Sequence, residues 1–432
     1  MKLRNIFLVS LAVCTMASCS KDETIDYSQM GPVDAYVSFG VTAAMQTKAD
    51  VEAITNEGNV QKLTALIYKG EPTDDDATFV ASKTEALTEA DIEGGKTTIN
   101  EIKHIIVKVT PNADGTSSSD VFTAVFLGNC ELNDVSAPAT LGALKKAVLT
   151  KKANEYAIGT YLPMVSKTIR IEGLKPTITK NNETTTYWEN WVKDGGGVVP
   201  SNADNDAAQV APSSYNTSDH VVLTRLISRV EVESVTLSIT EYPNATIELV
   251  GIALANIKNE STFVGGEGDY VKGYESDAYK ASQYWIDPNS EENTSFFMAY
   301  GGDDYKTTGL AEKKISFKNN KYQKYIFSNV PRTTTEVKEA HTDGIYETGV
   351  ILIVNFTNAA GEPSIRHLRV LLKDNTSTSV PEVLKNYIYK LNITITGEGS
   401  PNEDEILLNT HVAAVIEVAP WNVIEQNEED AN

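Results

Sequence analysis

The residue types that most often perform catalysis are present, but their spacing gives them no shared site. None of the five histidines lies three to five residues from another: His104, His220, His341, His367 and His411. This spacing excludes the zinc-ligand pairs that one helix or turn presents. The chain has no Gly-x-Ser-x-Gly elbow, and the glycine-rich residues 265–268 lack the strand-to-helix context of a phosphate-binding loop. We therefore expect a protein that is not an enzyme and that holds no metal or cofactor.

Two acidic clusters and one cysteine have plain structural explanations. Residues 74–76 and 303–304 are runs of aspartate that offer oxygen ligands for Ca²⁺, but neither has the twelve-residue loop that ends in glutamate. Solvated acidic turns are the better interpretation. Cys130 closes an apolar segment and has no basic neighbour in the sequence, which favours a buried structural thiol over a nucleophile.

Two groups of aromatic residues suggest binding as an alternative to chemistry. Trp188 and Trp191 lie in a polar stretch. A second group crowds a glycine-rich region: Tyr270, Tyr274, Tyr279, Tyr284 and Trp285. Exposed rings can stack on sugars or on a protein partner. The same rings can instead anchor their loops to a sheet, and this is the interpretation that we favour.

One cysteine lies directly behind an export signal. Lys2 and Arg4 precede a short apolar stretch, residues 6–13, and small residues at 16–18 lead up to Cys19. This is a secretory signal, too short for a permanent membrane helix. Cys19 resembles the lipobox cysteine of bacterial lipoproteins, whose thiol is acylated and becomes the first residue. We therefore expect Cys19 to carry lipid once residues 1–18 have been removed.

Cysteine usage and charge narrow the class of protein further. Cys14 leaves with the signal and Cys19 carries the lipid, so Cys130 is the only free thiol of the three. Without a disulfide, burial of apolar side chains must stabilise the fold. The 37 basic and 59 acidic residues give a net charge of -22. This charge excludes a nucleic-acid binder, because binding to phosphates needs a basic surface.

The first element after the signal is a strand followed by a connector. Residues 33–41 alternate strictly, with Val33, Ala35, Val37, Phe39 and Val41 on one face. Such period-two patterning predicts a strand with one buried face. Residues 43–50 are small and polar and contain one basic residue, Lys48. They predict an exposed connector between the first strand and the body of the protein.

The rest of the chain predicts a mainly β protein. Strand patterns recur, and only Leu141, Leu144 and Val148 keep helical spacing. Residues 177–219 are polar, and we interpret them as an insertion or inter-domain loop. We predict two tandem antiparallel β-sandwich domains, residues 49–220 and 221–410, with one or two short helices.

The C-terminus supplies a second strand that could leave the body of the protein. Its apolar positions are Val412, Ala414, Ile416 and Val418, and after Pro420 they continue in shifted phase as Trp421 and Val423. Proline removes a ladder donor, so this must be an edge strand or a bent one. Acidic residues fill the remaining stretch to residue 432, and we group residues 411–432 as terminal strand and soluble tail.

The order of several short motifs resembles the fimbrillin family, the major pilins of lipoprotein-derived type V fimbriae of Gram-negative anaerobes. The motifs are Cys19 with residues 20–23, then residues 161–164, 223–230, 386–395 and 418–421. The resemblance covers nearly the whole chain. It implies transthyretin-like β-sandwich domains and a precursor in which residues 19–48 form a propeptide.

The resemblance also implies assembly by donor-strand exchange. In the family, a trypsin-like protease cuts the lipidated precursor after its first strand, and the C-terminal strand of the next subunit fills the groove that remains. Carried onto this chain, the cut separates Lys48 from Ala49, the removed strand is residues 33–41, and the donor is residues 411–423. The family cut usually follows Arg, so Lys48 is a departure from the pattern.

The implied partners are further copies of the chain in a homopolymer, tip and anchor subunits, the processing protease, and a host or bacterial surface receptor. The implied location is the outer membrane for the lipidated precursor and an extracellular fimbrium for the mature subunit. The alternative is a monomeric surface lipoprotein, either a fimbrial tip or anchor or a glycan-binding adhesin, that uses its aromatic loops.

Overall fold

The structure is a computed structural model. It describes residues 26–43, 54, 56–130, 137–180, 184–203, 210–255, 257, 261–263, 296–317, 320–329, 348–372, 383–401 and 412–420. The described residues form 21 strands, two short α-helices and several 3₁₀ turns. The mainly β fold class with short helices that the sequence predicts is therefore confirmed.

Eleven strands and both helices belong to the first half of the chain. The strands are β1 (Val33–Ala43), β2 (Lys62–Lys69), β3 (Thr78–Ala86), β4 (Glu101–Val109), β5 (Phe122–Gly128), β6 (Met164–Ser166), β7 (Ile169–Ile171), β8 (Ile178–Lys180), β9 (Thr184–Val192), β10 (Val198–Ala203) and β11 (Val221–Arg225). The helices are α1 (Glu89–Glu93) and α2 (Leu141–Lys146), and 3₁₀ turns occupy Tyr27–Gln29, Ala153–Glu155 and Thr217–Asp219.

Ten strands follow in the second half, within the described residues. They are β12 (Ile227–Leu237), β13 (Thr246–Ala255), β14 (Phe297–Ala299), β15 (Lys306–Thr308), β16 (Lys313–Ser316), β17 (Tyr322–Phe327), β18 (Gly349–Thr357), β19 (Pro363–Leu371), β20 (Tyr387–Ile395) and β21 (Val412–Pro420). A 3₁₀ turn at Asp303–Tyr305 precedes β15.

The first eleven strands form one continuous hydrogen-bonded set with β1 in its middle. The order is β10-β9-β1-β11-β6-β5-β2-β3, with β4 beside β1, β7 beside β5 and β8 beside β9. β1 pairs antiparallel with β4 from Val33 to Gly40, and parallel with β9 from Tyr36 to Ser38. Its last three residues pair with β11. β1 thus joins the strands on either side of the first core.

Side chains of β1, β2, β4 and β5 fill that first core. It is wholly apolar, as the strand alternation predicts, and Phe39 of β1 meets Phe126 of β5 edge to face with ring centroids 4.7 Å apart. The opposite faces of β2 and β5 pack against α2, which buries Leu141 and Leu144. The Thr140 hydroxyl caps this helix by accepting a hydrogen bond from the Ala143 N–H.

The second half contains two five-stranded sheets that share one apolar core. One sheet has the order β16-β12-β20-β21 with β17 beside β12, and the other has β14-β13-β18-β19 with β15 beside β13. Inward side chains of both sheets belong to the same buried cluster, for example Val232 of β12, Leu249 of β13, Leu352 of β18 and Leu391 of β20. Among the described strands β21 pairs only with β20, so it lies at the edge of its sheet.

The strand pairing differs from the sequence expectation in three respects. The sheets are mixed, because β1 pairs parallel with β9 and β11, and β12 pairs parallel with β20. β11, residues 221–225, is bonded to the first set of strands, although the prediction starts the second domain at residue 221; one residue, Leu226, separates β11 from β12, so composition marks no break there. The polar stretch 177–219 is no mere loop: it supplies β8, β9 and β10.

Candidate functional site: the first and last strands

β1 is buried on both faces along most of its length. The apolar positions that the sequence places on one face, Ala35, Val37, Phe39 and Val41, are all almost fully inaccessible, and Val33 at the start of the strand packs on the same core. The intervening residues Tyr36 and Ser38 are buried too. A first strand buried on both faces is an integral part of the sheet, which the period-two pattern alone does not reveal.

The outer face of β1 carries a polar network centred on Ser38. The Ser38 hydroxyl donates to Glu189 Oε1 at 2.6 Å and accepts from the backbone N–H of His104 at 3.0 Å. His104 Nδ1 lies 3.0 Å from Glu189 Oε2. His104 sits in a bulge of β4 with φ 59°, where the β1–β4 register shifts between Val37 and Phe39. The bulge leaves an N–H without a ladder partner, and Ser38 satisfies it.

Tyr36, the neighbouring residue on the same face of β1, covers this polar network. Its ring stacks on the His104 ring with centroids 4.2 Å apart. The Asn190 side-chain amide of β9 donates to the Tyr36 carbonyl at 2.9 Å. Polar side chains of β9 are therefore buried because β1 supplies their hydrogen-bond partners, which explains how a polar stretch forms an interior strand.

At the other end of β1, Gly40 makes a close approach to the His220 ring, which would have to move to admit any side chain. A Cβ built on Gly40 would lie 2.3 Å from Cδ2 of His220. The Gly40 N–H donates to the Tyr215 hydroxyl at 2.7 Å, and this hydroxyl donates to the Val192 carbonyl at 3.1 Å. Burial raises the pKa of Tyr215 to about 12 and lowers the pKa of His220, so both rings are neutral at pH 7.

β21 shows the opposite environment at the other end of the chain. Ile416 is only 4% exposed, Val412 and Ala414 pack partly on the second core, and Val415 on the opposite face is 67% exposed. The alternation that the sequence predicts is thus present. The backbone of Val418 lies in the strand, opposite Tyr389.

Several residues of the predicted processing and assembly sites lie outside the described residues. These are the lipidation site Cys19, the cleavage pair Lys48 and Ala49, and the last two apolar positions of the terminal strand, Trp421 and Val423.

The remaining sequence candidates have structural environments. Cys130 is buried, its thiol donates to the carbonyls of Gly128 and Met164, and burial raises its pKa to about 12. A thiol of this kind is a poor nucleophile, in agreement with the sequence interpretation. Trp191 is buried, so it anchors its strand; Trp188 is half-buried. The second aromatic group lies outside the described residues.

The two acidic clusters are exposed to solvent. Asp75 pairs with Lys145 at 2.7 Å, and Asp303 begins a 3₁₀ turn. In the part of the chain that the structure describes, no group of three acidic, histidine or cysteine side chains is close enough to hold a metal ion. Over the same residues, no helix has the length and apolar character needed to cross a lipid bilayer.

The sequence analysis missed a buried charged cluster that links the two halves of the chain. Glu57, in the segment before β2, binds the Arg229 guanidinium of β12 and accepts a hydrogen bond from the Tyr325 hydroxyl of β17. The Nε of Arg225 donates to the Glu57 carbonyl at 2.9 Å, and burial lowers the pKa of Arg225 to about 10. Two arginines four residues apart within an apolar strand pattern were the available signal, because buried guanidinium groups require acidic or carbonyl partners.

Comparison with known proteins gives the chain its relatives. Residues 35–225 match the family described as major fimbrial subunit protein, FimA. No curated protein sequence matches the chain. A cell adhesion protein from Parabacteroides distasonis has the same fold at 15% identity, with a TM-score of 0.55 over 91% of this chain and 98% of that one. A fimbrilin from Porphyromonas gingivalis is 14% identical, with a TM-score of 0.54 over 91% and 99% of the two chains.

These identities are low, so the structural likeness by itself shows a shared fold. The family match is a separate finding: it covers β1 to β11, the whole first set of strands. Two of the motifs that the sequence analysis singles out lie wholly or partly in the matched range, residues 161–164 and 223–225. Over residues 35–225 the chain therefore resembles the fimbrillin family, and the proteins compared with it are fimbrial and adhesion proteins and not enzymes.

Proposed function

We propose that the protein is a structural subunit of a cell-surface fimbrium. It is exported as a lipoprotein precursor acylated on Cys19, cut between Lys48 and Ala49, and polymerised by donor-strand exchange. The observation that carries the proposal is the contrast between the two ends of the chain. The strand just before the proposed cut is central and buried, while the strand at the C-terminus pairs only with β20 among the described strands.

Loss of β1 would create a strong acceptor. Five apolar side chains would leave the core, at a cost of roughly 7 to 15 kcal/mol if each contributes about 1.5 to 3 kcal/mol, with Ala35 at the low end. The backbones of β4, β9 and β11 would also lose their ladder partners. A groove with apolar pockets and unpaired edges binds an extended strand by β-augmentation.

β21 is the segment of this chain suited to fill such a groove in the next subunit. Leaving its own sheet breaks one set of ladder bonds, to β20. Among the β21 side chains that the structure describes, residues 412–417, it exposes one buried side chain, Ile416. A head-to-tail contact of this kind does not close on itself, so it generates a filament. Cleavage makes the exchange directional, because it removes the intramolecular competitor.

The position of the next basic residue favours the cut after Lys48. The next basic residue in the chain, Lys62, begins β2 and pairs with Ala86 in the ladder. A trypsin-like protease needs an extended, accessible segment, so β2 is a poor substrate. The proposal places the precursor at the outer membrane and the mature subunit in an extracellular fimbrium with tip and anchor subunits, and it supposes a surface receptor for adhesion.

The N-terminus of the protein recovered from the cell surface tests the proposed processing. A stalk subunit has Ala49 as its first residue. Mass spectrometry of purified surface filaments reads this residue directly, and a mature N-terminus at lipidated Cys19 throughout the filament would refute the stalk role. That second result would support the alternative, an anchor or monomeric surface lipoprotein.

The donor assignment predicts a face-specific effect on polymerisation. Ile416→Asp places a charge on the buried face of β21, so it should abolish polymerisation of protein cut at Lys48, and Val418→Asp should act in the same way. Ala413→Asp is the matched control, because Ala413 lies on the opposite, exposed face of the same strand. Electron microscopy and sedimentation count the polymers, and circular dichroism checks that the monomers fold. Equal polymer length in the Ile416 and Ala413 variants would contradict the assignment.

A further inference from the structure

The groove that β1 occupies is selective about the outer face of any strand that replaces it. At the position of Gly40, the His220 ring lies where a side chain would begin. At the position of Ser38, a buried site offers one donor, the His104 N–H, and one acceptor, the Glu189 carboxylate. Shape and polarity at these two positions therefore select the register of an incoming strand.

Only one register of β21 satisfies the tight position. β21 contains no glycine, so alanine is the smallest residue that it can offer. With Ala419 at the position of Gly40, the inward residues Val412, Ala414, Ile416 and Val418 take the places of Val33, Ala35, Val37 and Phe39. The small residue Ala414 then meets the site of Ala35, and each remaining position receives an aliphatic side chain.

The neighbouring registers fail for identifiable reasons. A shift by two residues in either direction brings Glu417 or Trp421 against His220, and both side chains are far too large for that space. A shift by any odd number of residues from one to five turns Glu417 into the apolar groove, where an unpaired carboxylate is costly. A shift that brings Ala413 to the tight position puts Leu408 at the site of Ala35, which overfills it.

We propose that the C-terminal strand of a second copy of this chain enters the groove with Ala419 at the position of Gly40, and that the limited space beside His220 enforces this register. The inference rests on the proposed function, since it specifies the strand exchange described above. It assigns His220 a positioning role. The His220 ring limits the size of the donor residue at the Gly40 position, and it must turn to admit the methyl group of Ala419.

The same register places Glu417 at the site of Ser38. A carboxylate can accept the hydrogen bond of the His104 N–H, but it cannot donate to Glu189 as the Ser38 hydroxyl does. Two carboxylates then lie close together, which weakens the contact. Pro420 takes the place of Val41. In the uncut protein the Val41 N–H donates to the Asn100 carbonyl at 2.7 Å. Proline has no N–H, so this hydrogen bond is lost on exchange.

Disulfide formation between engineered cysteines in neighbouring subunits measures the register directly. In β1 the residue opposite Ile106 of β4 is Tyr36, and in the proposed register Val415 takes its place. Ile106 and Val415 are both exposed, so a subunit carrying Ile106→Cys and Val415→Cys should form a disulfide ladder between subunits in the polymer. Ile106→Cys with Ala413→Cys and Ile106→Cys with Glu417→Cys are the controls, each displaced by two residues. The expected result is a ladder for the first pair alone on a denaturing gel.

Side-chain swaps test the two selective positions. Ala419→Val should slow polymerisation of the cut protein by about tenfold or more through overpacking against His220, and His220→Ala should restore it. Ala413→Val, on the same face of the donor at the half-exposed site of Asp34, is the size-matched control and should be neutral. Glu417→Ser should speed polymerisation, because it restores the hydrogen bond to Glu189.

The outcomes separate the register from the proposed function. If the cut protein with its natural sequence does not polymerise at all, the proposed function fails. If it polymerises but a displaced cysteine pair forms the ladder, or if Ala419→Val and Ala413→Val behave alike, the register is overturned while strand exchange stands.

Discussion

At the scale of single residues, the environment of β1 depends on two contacts that cannot be predicted from the residue types. Gly40 alternates with apolar residues and looks like an ordinary strand position in the sequence, yet His220 lies against its backbone. Ser38 looks like a solvent-facing residue, yet its hydroxyl is buried between Glu189 and the bulge at His104. Both partners lie far away in the chain, so period-two patterning could predict the buried face of β1 but not the constraints on its other face.

Gly40→Ala should therefore destabilise the uncut protein. The new methyl group must displace the His220 ring, and overpacking of this kind typically costs about 1 to 3 kcal/mol. Gly31→Ala is the matched control, since a Cβ at Gly31 meets no atom within 4 Å. Urea unfolding of the two variants measures the difference. A loss in Gly40→Ala no larger than that in Gly31→Ala would show that His220 moves away freely.

At the scale of elements, the sequence predicts those strands whose neighbours are apolar and misses those whose neighbours are polar. The alternation in β1 and β21 and the helical spacing of α2 follow from apolar residues alone, and each element is present. The polar composition of residues 177–219 predicts a loop, although this stretch contains β9 with its buried residues Glu189 and Asn190. Their burial depends on hydrogen bonds to β1 and to the segment around Lys175, which only the tertiary fold supplies.

The proposed removal of β1 predicts that one core mutation lowers the stability of the uncut protein but not that of the polymer. Phe39→Ala leaves a cavity in the uncut protein and should lower its free energy of unfolding by about 3 to 5 kcal/mol. In a polymer that has lost β1, the same substitution should have no effect, because the residue is gone. Denaturant unfolding of the precursor and heat dissociation of the polymer provide the two measurements.

Phe126→Ala is the control for that experiment. Phe126 contacts the Phe39 ring and is equally buried, but it belongs to β5, which stays in the subunit. It should therefore weaken both the precursor and the polymer. A polymer made from the Phe39→Ala precursor with a lowered dissociation temperature would indicate that β1 remains in the filament.

At the scale of the whole molecule, Glu57 holds the two halves of the chain together just beyond the proposed cut. Its carboxylate binds Arg229 and Tyr325 of the second half, and its carbonyl accepts from Arg225. Arg225 also donates to Asn386 at 3.0 Å, so the cluster reaches the start of β20, the strand to which β21 is bonded. The segment that follows the proposed cut is thus bonded to the second half independently of β1.

Glu57→Ala should consequently destabilise the protein whether or not β1 is present. Removing one partner of a buried ion pair typically costs about 3 to 5 kcal/mol, and because Arg229 keeps its pair with Glu231 we expect the lower end of this range. Glu71→Ala is the matched control, because Glu71 pairs with Arg170 at 2.7 Å on the surface, where such pairs contribute about 1 kcal/mol or less. Urea unfolding gives the free energies, and hydrogen exchange in β12 and β17 shows whether the loss is centred on the second half. Equal losses in the two variants would mean that water replaces the Glu57 carboxylate at no cost, and that this carboxylate does not hold the two halves together.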